Sequence, residues 1–400
     1  LAGSYPALFL SSLRPVAVLK GPLKFTSGAA GFRKGLVVFQ FTLSIALIIC
    51  TVVVYRQMQY IQTKNLGLDR QNIVYLPMHG GAGARYTAFK NEVLASGNIE
   101  SMSMASTVPT GLGMYTDGVS WTGKNPQEKS FFGEMSVDYD FVPTMKIQMK
   151  EGRNYSPSFG DDSSNFMFNE EGIKYMKMED PIGQHITWNG QKGIIIGVVK
   201  NFHFSSLHDP IKPLFIHFRK EVGGLGIVKT AAGKTAQAMA TLQSTWKKFN
   251  AEYPFDSFFA DDAFSRQYKS EIMVSKLANV FAFLAIFISC LGLFGLAMFM
   301  AEQRTREIGI RKVLGAGIGQ VVTMLSKDFV ALVLVAAIVA FPISWWAMHS
   351  WLKDFNYRID IGWWVFPMAA LLAMLIALLT ISFQAVKAAT ANPVKSLRSE

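Results

Sequence analysis

Four long apolar runs constrain this chain more than any other feature of its sequence. They cover residues 35–55, 277–301, 329–351 and 363–385. A helix needs roughly 20 apolar residues to cross a hydrocarbon core about 30 Å thick, and each run reaches that length. None has an ionisable residue in its central part, and His349 lies near an end. The runs therefore predict an α-helical membrane protein with four transmembrane helices.

The charges between the runs predict how the chain is oriented. Residues 1–34 sum to +5, residues 302–328 to +2 and residues 384–400 to +2, out of a net charge of +11. Residues 56–274 hold 23 basic and 22 acidic side chains, and the short connection 352–361 is neutral. Because Lys and Arg accumulate in cytoplasmic loops, we expect both ends and the charged stretch inside the cell and the large middle domain outside. The net positive charge is thus explained by the orientation of the chain in membrane lipid, and no nucleic-acid partner is expected.

The middle domain has the pattern of an α+β fold. Strands are predicted over residues 72–78, 99–106 and 213–219, and helices over 85–94 and 233–250. Asn189 and Gly190 join two β-rich runs, and this residue pair favours a tight hairpin turn. Residues 261–281 are expected to continue as one helix into the second apolar run, which would make a stiff connection between the domain and the membrane.

Sequence motifs for catalysis or for metal and cofactor binding are weak. The stretch AAGKT at residues 231–235 has Val228 where a phosphate loop needs glycine. The glycine-rich stretch 79–84 is interpreted as a flexible turn after a strand. His203 and His208 do not have the spacing of common zinc sites, so a structural role is favoured. No H-E-x-x-H or G-x-S-x-G motif occurs, and we expect no catalytic residue, no metal and no cofactor.

The stretch EQRTREIGIRKVLGAGIGQV, residues 302–321, is highly charged although it lies between two apolar runs. On a helix, Glu302 with Arg306 and Glu307 with Arg311 are acid-first i,i+4 pairs, worth roughly 0.2–0.5 kcal/mol each. Ile310, Val313 and Leu314 form an apolar stripe on the same helix. These features predict a short amphipathic helix at the inner membrane surface, followed by glycines 315, 317 and 319 that let the chain turn back. An ordinary positive loop with snorkelling side chains is the alternative.

The two ends of the chain resemble each other. Residues 7–21 align with residues 385–399 without gaps, and the match includes Pro15 with Pro393 and Leu19 with Leu397. We therefore expect residues 1–21 to end an earlier copy of the same unit.

The charged stretch carries a resemblance to a known family. Its first part, EQRTREIGIRKVLGA, resembles the signature of the FtsX-like, MacB-type ABC transporter permease family. The segments IIGVVKNFHFSSLHDPIKPLFI, FVPTMKIQMKEGRNYS and ANPVKSLRSE resemble parts of duplicated bacterial permeases. The order of one span before and three after an outward domain also agrees with the family. The resemblance identifies the chain as the C-terminal half of a duplicated permease.

The resemblance implies a mechanotransmission subunit in a bacterial inner membrane, with an α+β extracytoplasmic domain of the MacB-like periplasmic core type. Its expected partners are a cytoplasmic ABC ATPase on a separate chain, since no Walker motif occurs here, and a homologous repeat or second copy. A periplasmic adaptor or a hydrolase is a further expected partner. The subunit would drive export or extraction of a substrate, or, alternatively, would transport nothing and activate a periplasmic hydrolase.

Carried over onto this sequence, the family's ATPase-coupling helix matches eleven positions. They are Glu302, Arg304, Arg306, Glu307, Ile308, Gly309, Ile310, Arg311, Lys312, Leu314 and Gly315. The predicted domains are a basic cytoplasmic segment 1–34, transmembrane helices 35–55, 277–301, 329–351 and 363–385, an extracytoplasmic domain with stalk 56–274, a coupling segment 302–328, and a cytoplasmic tail 386–400.

Overall fold

A computed structural model describes residues 27–125, 127–220, 223–304, 307, 310–311 and 314–390. The comparison of residues 7–21 with 385–399, on which the expected preceding copy depends, lies largely outside these residues.

The helices within the described ranges are α1 (Ser27–Thr63), α2 (Gly80–Ala84), α3 (Tyr86–Ala95), α4 (Phe141–Thr144), α5 (Glu170–Met176), α6 (Thr235–Phe249), α7 (Ala260–Arg266), α8 (Lys269–Gln303), α9 (Ile318–Leu352) and α10 (Val365–Thr390). The strands are β1 (Ile73–Met78), β2 (Ile99–Ala105), β3 (Tyr115–Thr116), β4 (Val119–Trp121), β5 (Phe132–Val137), β6 (Met149–Gly152), β7 (Phe166–Asn169), β8 (His185–Trp188), β9 (Gln191–Val199), β10 (Leu214–Phe218), β11 (Gly224–Thr230) and β12 (Phe258–Phe259).

The chain divides into two compact units. The first consists of Tyr55–Val274 together with Trp351–Ile359, and the second contains the described parts of the remaining chain. The first unit therefore includes more than the predicted domain 56–274, because the end of α9 and part of the α9–α10 loop pack with it.

A mixed sheet forms the centre of the first unit. Its strands lie in the order β12-β1-β11-β2-β5-β10-β7-β9-β8-β4, with β3 beside β5 and β6 beside β9. Strands β1, β11 and β2 are antiparallel, whereas β5 pairs with β10 and β7 pairs with β9 in parallel. Strands β2 and β5 meet at a single residue pair, Ala105 with Val137, so the sheet is narrowest at its middle.

Each half of the sheet buries its own apolar core. In the first half, helices α3 and α6 cover strands β1, β2 and β11, and Phe89 and Trp246 pack edge to face with ring centres 6.2 Å apart. In the second half, Phe168, Trp188 and Phe215 lie in a core that α5 covers. The helix predicted over 233–250 is confirmed as α6. Its buried face contains Trp246 and its neighbours on that face.

The second unit contains the apolar parts of α1, α8, α9 and α10. Within the described residues, four helices are long and apolar enough to cross a membrane: Gly31–Thr63, Lys269–Met300, Val322–Leu352 and Val365–Phe383. Small and polar side chains let them approach closely, as expected for packing in lipid. Ala369, Ala373 and Ala377 are buried on α10, and the Oγ atoms of Ser44 and Ser289 lie 3.1 Å apart. These helices and the sheet confirm the predicted fold class.

The structure corrects three details of the sequence-based prediction. The helix expected over 261–281 is interrupted at Gln267 and Tyr268, between α7 and α8. Gln267 Nε2 donates to the Thr110 carbonyl (2.6 Å) and Tyr268 Oη accepts from the Leu207 amide (2.8 Å), and these tertiary bonds favour the turn. The turn expected over 79–84 contains the short helix α2, and the fourth apolar helix begins at Val365, two residues after the predicted start.

One glycine of β9 has no space for a side chain. A β-carbon at Gly193 would overlap the carbonyl oxygen of Ser164. We expect Gly193→Ala to destabilise the domain by about 1–3 kcal/mol, because backbone must move to relieve the overlap. Gly113→Ala is the matched control, since a β-carbon there meets nothing within 4 Å. Thermal unfolding of the full-length protein in detergent measures the difference, and equal melting temperatures would contradict this account.

Candidate functional site: the charged segment and the loop junction

The charged segment, residues 302–316, begins where α8 ends. The Arg304 amide still donates to the Met300 carbonyl (3.1 Å), and its guanidinium lies 3.2 Å from the Asp328 carboxylate of α9. Both side chains are more than a third exposed, so the ion pair is a weak link that leaves Arg304 accessible. Glu302, one helical position before Gln303, is also exposed.

The next described residues of the segment are helical and carry one of the predicted ion pairs. Arg311 Nη2 lies 2.8 Å from Glu307 Oε1, which confirms the predicted i,i+4 pair. Two large apolar side chains beside them face outward: Ile310 is 55% exposed and Leu314 is 80% exposed. The segment thus presents charge and apolar surface together.

A glycine ends this helical stretch. Gly315 has φ +90°, and the Ala316 amide donates to the Arg311 carbonyl (2.9 Å), which is the Schellman arrangement at a helix end. The predicted role of Gly315 in the turn agrees with this geometry, whereas Gly319 lies inside the first turn of α9. The predicted positions Arg306, Ile308, Gly309 and Lys312 lie outside the described residues, and so does Val313.

A second cluster, which we call the loop junction, lies within the first unit. It consists of Gln57 in α1, the segment 203–208, the turn and first residues of α8 at 267–271, and residues 354–359 of the α9–α10 loop. Two helices that contain apolar spans, α1 and α8, each contribute a terminal part to this cluster. The α9–α10 loop and the segment after β9 contribute the rest.

Gln57 binds the backbone of the loop from inside the junction. Its Nε2 donates to the Tyr357 carbonyl (3.0 Å) and its Oε1 accepts from the Ile359 amide (2.9 Å). The Gln57 side chain is fully buried, so its amide group cannot bond to water in place of the loop backbone. One primary amide thereby fixes two residues of the α9–α10 loop.

His208 links three elements of the junction. Its Nδ1 lies 2.9 Å from the Asp354 carbonyl oxygen and its Nε2 lies 3.3 Å from Glu271 Oε1. The ring stacks on Phe355 with centres 4.0 Å apart, and the His208 carbonyl accepts from Asn356 Nδ2 (2.8 Å). The predicted structural role of this histidine is confirmed by these contacts.

His203 packs against the same loop. Its ring lies edge to face with Tyr357, with centres 4.5 Å apart, and the Lys64 ammonium lies 4.9 Å from the Tyr357 ring. Burial and, as the smaller cause, the nearby positive charge of Lys64 together lower the pKa of His203 to about 4. His203 is therefore neutral at physiological pH and contributes packing.

Sequence reasoning found the charged segment and missed the junction. Gln57 lies just after an apolar run and has no motif, and its partners are about 300 positions away in the chain. The stretch NFHFSSLH, rich in aromatic and histidine side chains at the end of a strand, was the available signal. No group of three or more His, Cys, Asp or Glu side chains that could hold a metal ion occurs among the described residues.

Comparison with known proteins adds the family. Residues 279–393 match the FtsX-like permease C-terminal family. The chain therefore carries an FtsX-like permease C-terminal domain over these residues. It is 24% identical over 285 residues to the ABC transporter permease YknZ of Bacillus subtilis (strain 168), a match that covers 66% of this chain and 69% of YknZ.

The chain is also similar to a larger protein and to two solved domains. It is 27% identical over 236 residues to the macrolide export ATP-binding/permease protein MacB of Sodalis glossinidius (strain morsitans), covering 56% of this chain but only 36% of MacB. The periplasmic region of MacB from Actinobacillus actinomycetemcomitans matches at 14% identity and TM-score 0.36, over 52% of this chain and 98% of that one. The extracellular domain of YknZ from Gram-positive bacteria matches at 11% identity and TM-score 0.33, over 47% of this chain and 99% of that one.

The Gln57 contacts predict how the permease holds its loop. We expect Gln57→Leu to increase amide hydrogen exchange of residues 353–359 about tenfold, because the Tyr357 carbonyl and the Ile359 amide lose their partner in a buried site. Gln59→Leu on the same helix is the control, since Gln59 is exposed. Exchange followed by mass spectrometry on the full-length permease measures the effect. Unchanged exchange in Gln57→Leu would show that other contacts hold the loop.

The lowered pKa of His203 predicts a pH dependence. An unfolded histidine titrates near 6.5, and the folded one near 4. Between these values the unfolded chain binds more protons, so this contribution to the free energy of unfolding is complete above about pH 6.5 and declines as pH falls towards 4. His203→Phe keeps a ring beside Tyr357 and removes the titration. Urea unfolding at several pH values should give a shallower decline for this variant, whereas parallel pH curves would contradict the prediction.

Proposed function

We propose that this permease is the mechanotransmission subunit of an ABC transporter, driven by an ATPase on a separate chain. The observation that carries the proposal is the loop junction. Helices α1 and α8 each contain junction residues at one end and an apolar span further along, and α9 ends at the loop that the junction holds. A displacement of these helices along or across the membrane would therefore act on the backbone contacts of the sheet domain.

The charged segment is the proposed docking site for the ATPase. Arg304, Glu307 and Arg311 are accessible and carry both signs of charge, whereas Ile310 and Leu314 expose apolar surface. A protein partner with opposite charges around an apolar groove would cover both kinds of group. Arg306, Ile308, Gly309 and Lys312 are proposed as further members of this site from the family resemblance.

The proposed topology places the charged segment and both chain ends in the cytoplasm and the sheet domain in the periplasm. Its support is the distribution of charge, since residues 302–328 carry +2 while residues 56–274 are nearly balanced. The substrate would be exported or extracted on the periplasmic side. We further propose pairing with a homologous repeat or second copy, as the family resemblance implies.

The docking proposal predicts the effect of charge reversal. We expect Arg304→Glu combined with Arg311→Glu to weaken the complex with the cognate ATPase about tenfold and to lower its stimulated turnover, since two attractive contacts become repulsive. The full-length permease is reconstituted with the ATPase, and complex formation and ATP turnover are measured together. Lys192→Glu combined with Lys247→Glu is the control, because it changes net charge equally at exposed positions of the sheet domain.

A charge swap separates docking from helix stability. Glu307→Arg combined with Arg311→Glu keeps an intrahelical ion pair but reverses the charges that a partner meets. If the segment docks on an ATPase, the swapped variant should show lower stimulated ATP turnover than the unaltered protein. If the swap restores the turnover that Arg311→Glu alone loses, the pair acts only within the segment and the proposed contact is wrong.

A further inference from the structure

A groove lies between α1 and α8 at one end of their apolar runs. It has a volume of about 380 Å³ and is lined by Arg33 of α1 and by Gly295, Leu296, Met298, Phe299 and Glu302 of α8. The lining thus combines one cation, one anion and an apolar wall. Arg33 and Glu302 also have other interactions within the protein.

The groove changes from polar to apolar along the helix axis. Arg33 and Glu302 lie within two residues of runs that hold no charge, 35–55 and 277–301, so they lie at a membrane–water boundary. Gly295 precedes Glu302 by seven residues on a continuous helix, which places it about 10 Å deeper. A molecule that fills the groove therefore needs a charged head and an apolar tail.

The charged end selects among such molecules. The Arg33 guanidinium lies over the Phe299 ring, 4.6 Å from its centre, and this stacking orients the planar donors. A guanidinium matches the oxygen pair of a phosphate, which an ammonium cannot do as well. The Glu302 carboxylate in the same groove accepts hydrogen bonds from a primary amine. A phosphate and an amine a few bonds apart meet both groups.

We propose that this groove is a binding site for phosphatidylethanolamine. Arg33 binds the phosphate, Glu302 binds the ammonium, and the acyl chain lies along Gly295, Leu296 and Phe299. Phosphatidylglycerol offers the phosphate but has no cation for the carboxylate. Phosphatidylcholine offers a cation whose methyl groups cannot donate to the carboxylate. The preference therefore depends on Glu302, and the affinity for all three lipids depends on Arg33.

Native mass spectrometry of the full-length permease in detergent, titrated with each of the three phospholipids, tests the site. We expect phosphatidylethanolamine to bind about tenfold more tightly than the other two. Arg33→Gln should weaken all three, and Glu302→Gln should make phosphatidylethanolamine and phosphatidylglycerol bind alike.

Filling the groove provides a test that leaves both charged residues in place. A β-carbon at Gly295 meets nothing within 4 Å, so Gly295→Leu fits on the helix and places its side chain in the groove. It should lower phosphatidylethanolamine binding at least about tenfold. Ile338→Phe on α9 is the control for added bulk, because Ile338 is 71% exposed.

Two results would overturn the site. Equal binding of the three phospholipids to the unaltered permease would mean that the lipid is adventitious only. Equal phosphatidylethanolamine binding by Gly295→Leu and Ile338→Phe would place the lipid elsewhere. The titration contains no ATPase, so its failure leaves the docking proposal standing.

Discussion

The structure depends on one constraint: a hydrocarbon core offers no hydrogen-bond partner to a peptide group. Every crossing is therefore a helix that satisfies its own backbone, and unpaired peptide groups are confined to the connections. The α9–α10 loop is such a connection, and it finds its partners in the protein. Gln57 forms hydrogen bonds with the Tyr357 carbonyl and the Ile359 amide. His208 Nδ1 pairs with the Asp354 carbonyl oxygen, and Asn356 Nδ2 donates to the His208 carbonyl. The peptide groups of the α9–α10 loop thus find their hydrogen-bond partners in the first unit.

Because of the same loop, the first unit is made of two separate stretches of the chain. A sheet domain built from one continuous stretch is joined by residues 351–359, which come from the far end of the chain. The junction contains the buried side chains of Gln57, Phe355 and Tyr268.

The sequence predicted much of the fold because its signals were local. Apolar length predicted the four helices, and the pair Asn189 and Gly190 predicted a hairpin whose residues have φ values of 50° and 85°. The break at Gln267 and Tyr268 could not be predicted, because it depends on Thr110 and Leu207 in distant parts of the domain. The ion pair of Glu307 and Arg311 was predictable from i,i+4 spacing alone.

By itself, the sequence determined which segments cross a membrane, which turns interrupt the strands, and where a charged helix with a glycine end would form. These features follow from length, periodicity and spacing within about one helical turn or one hairpin. Only the tertiary structure decided that Gln57 holds the α9–α10 loop, that both histidines of NFHFSSLH pack on it, and that Arg33 lies over Phe299. Those pairs are far apart in the chain, and no local pattern encodes which distant groups folding will bring together.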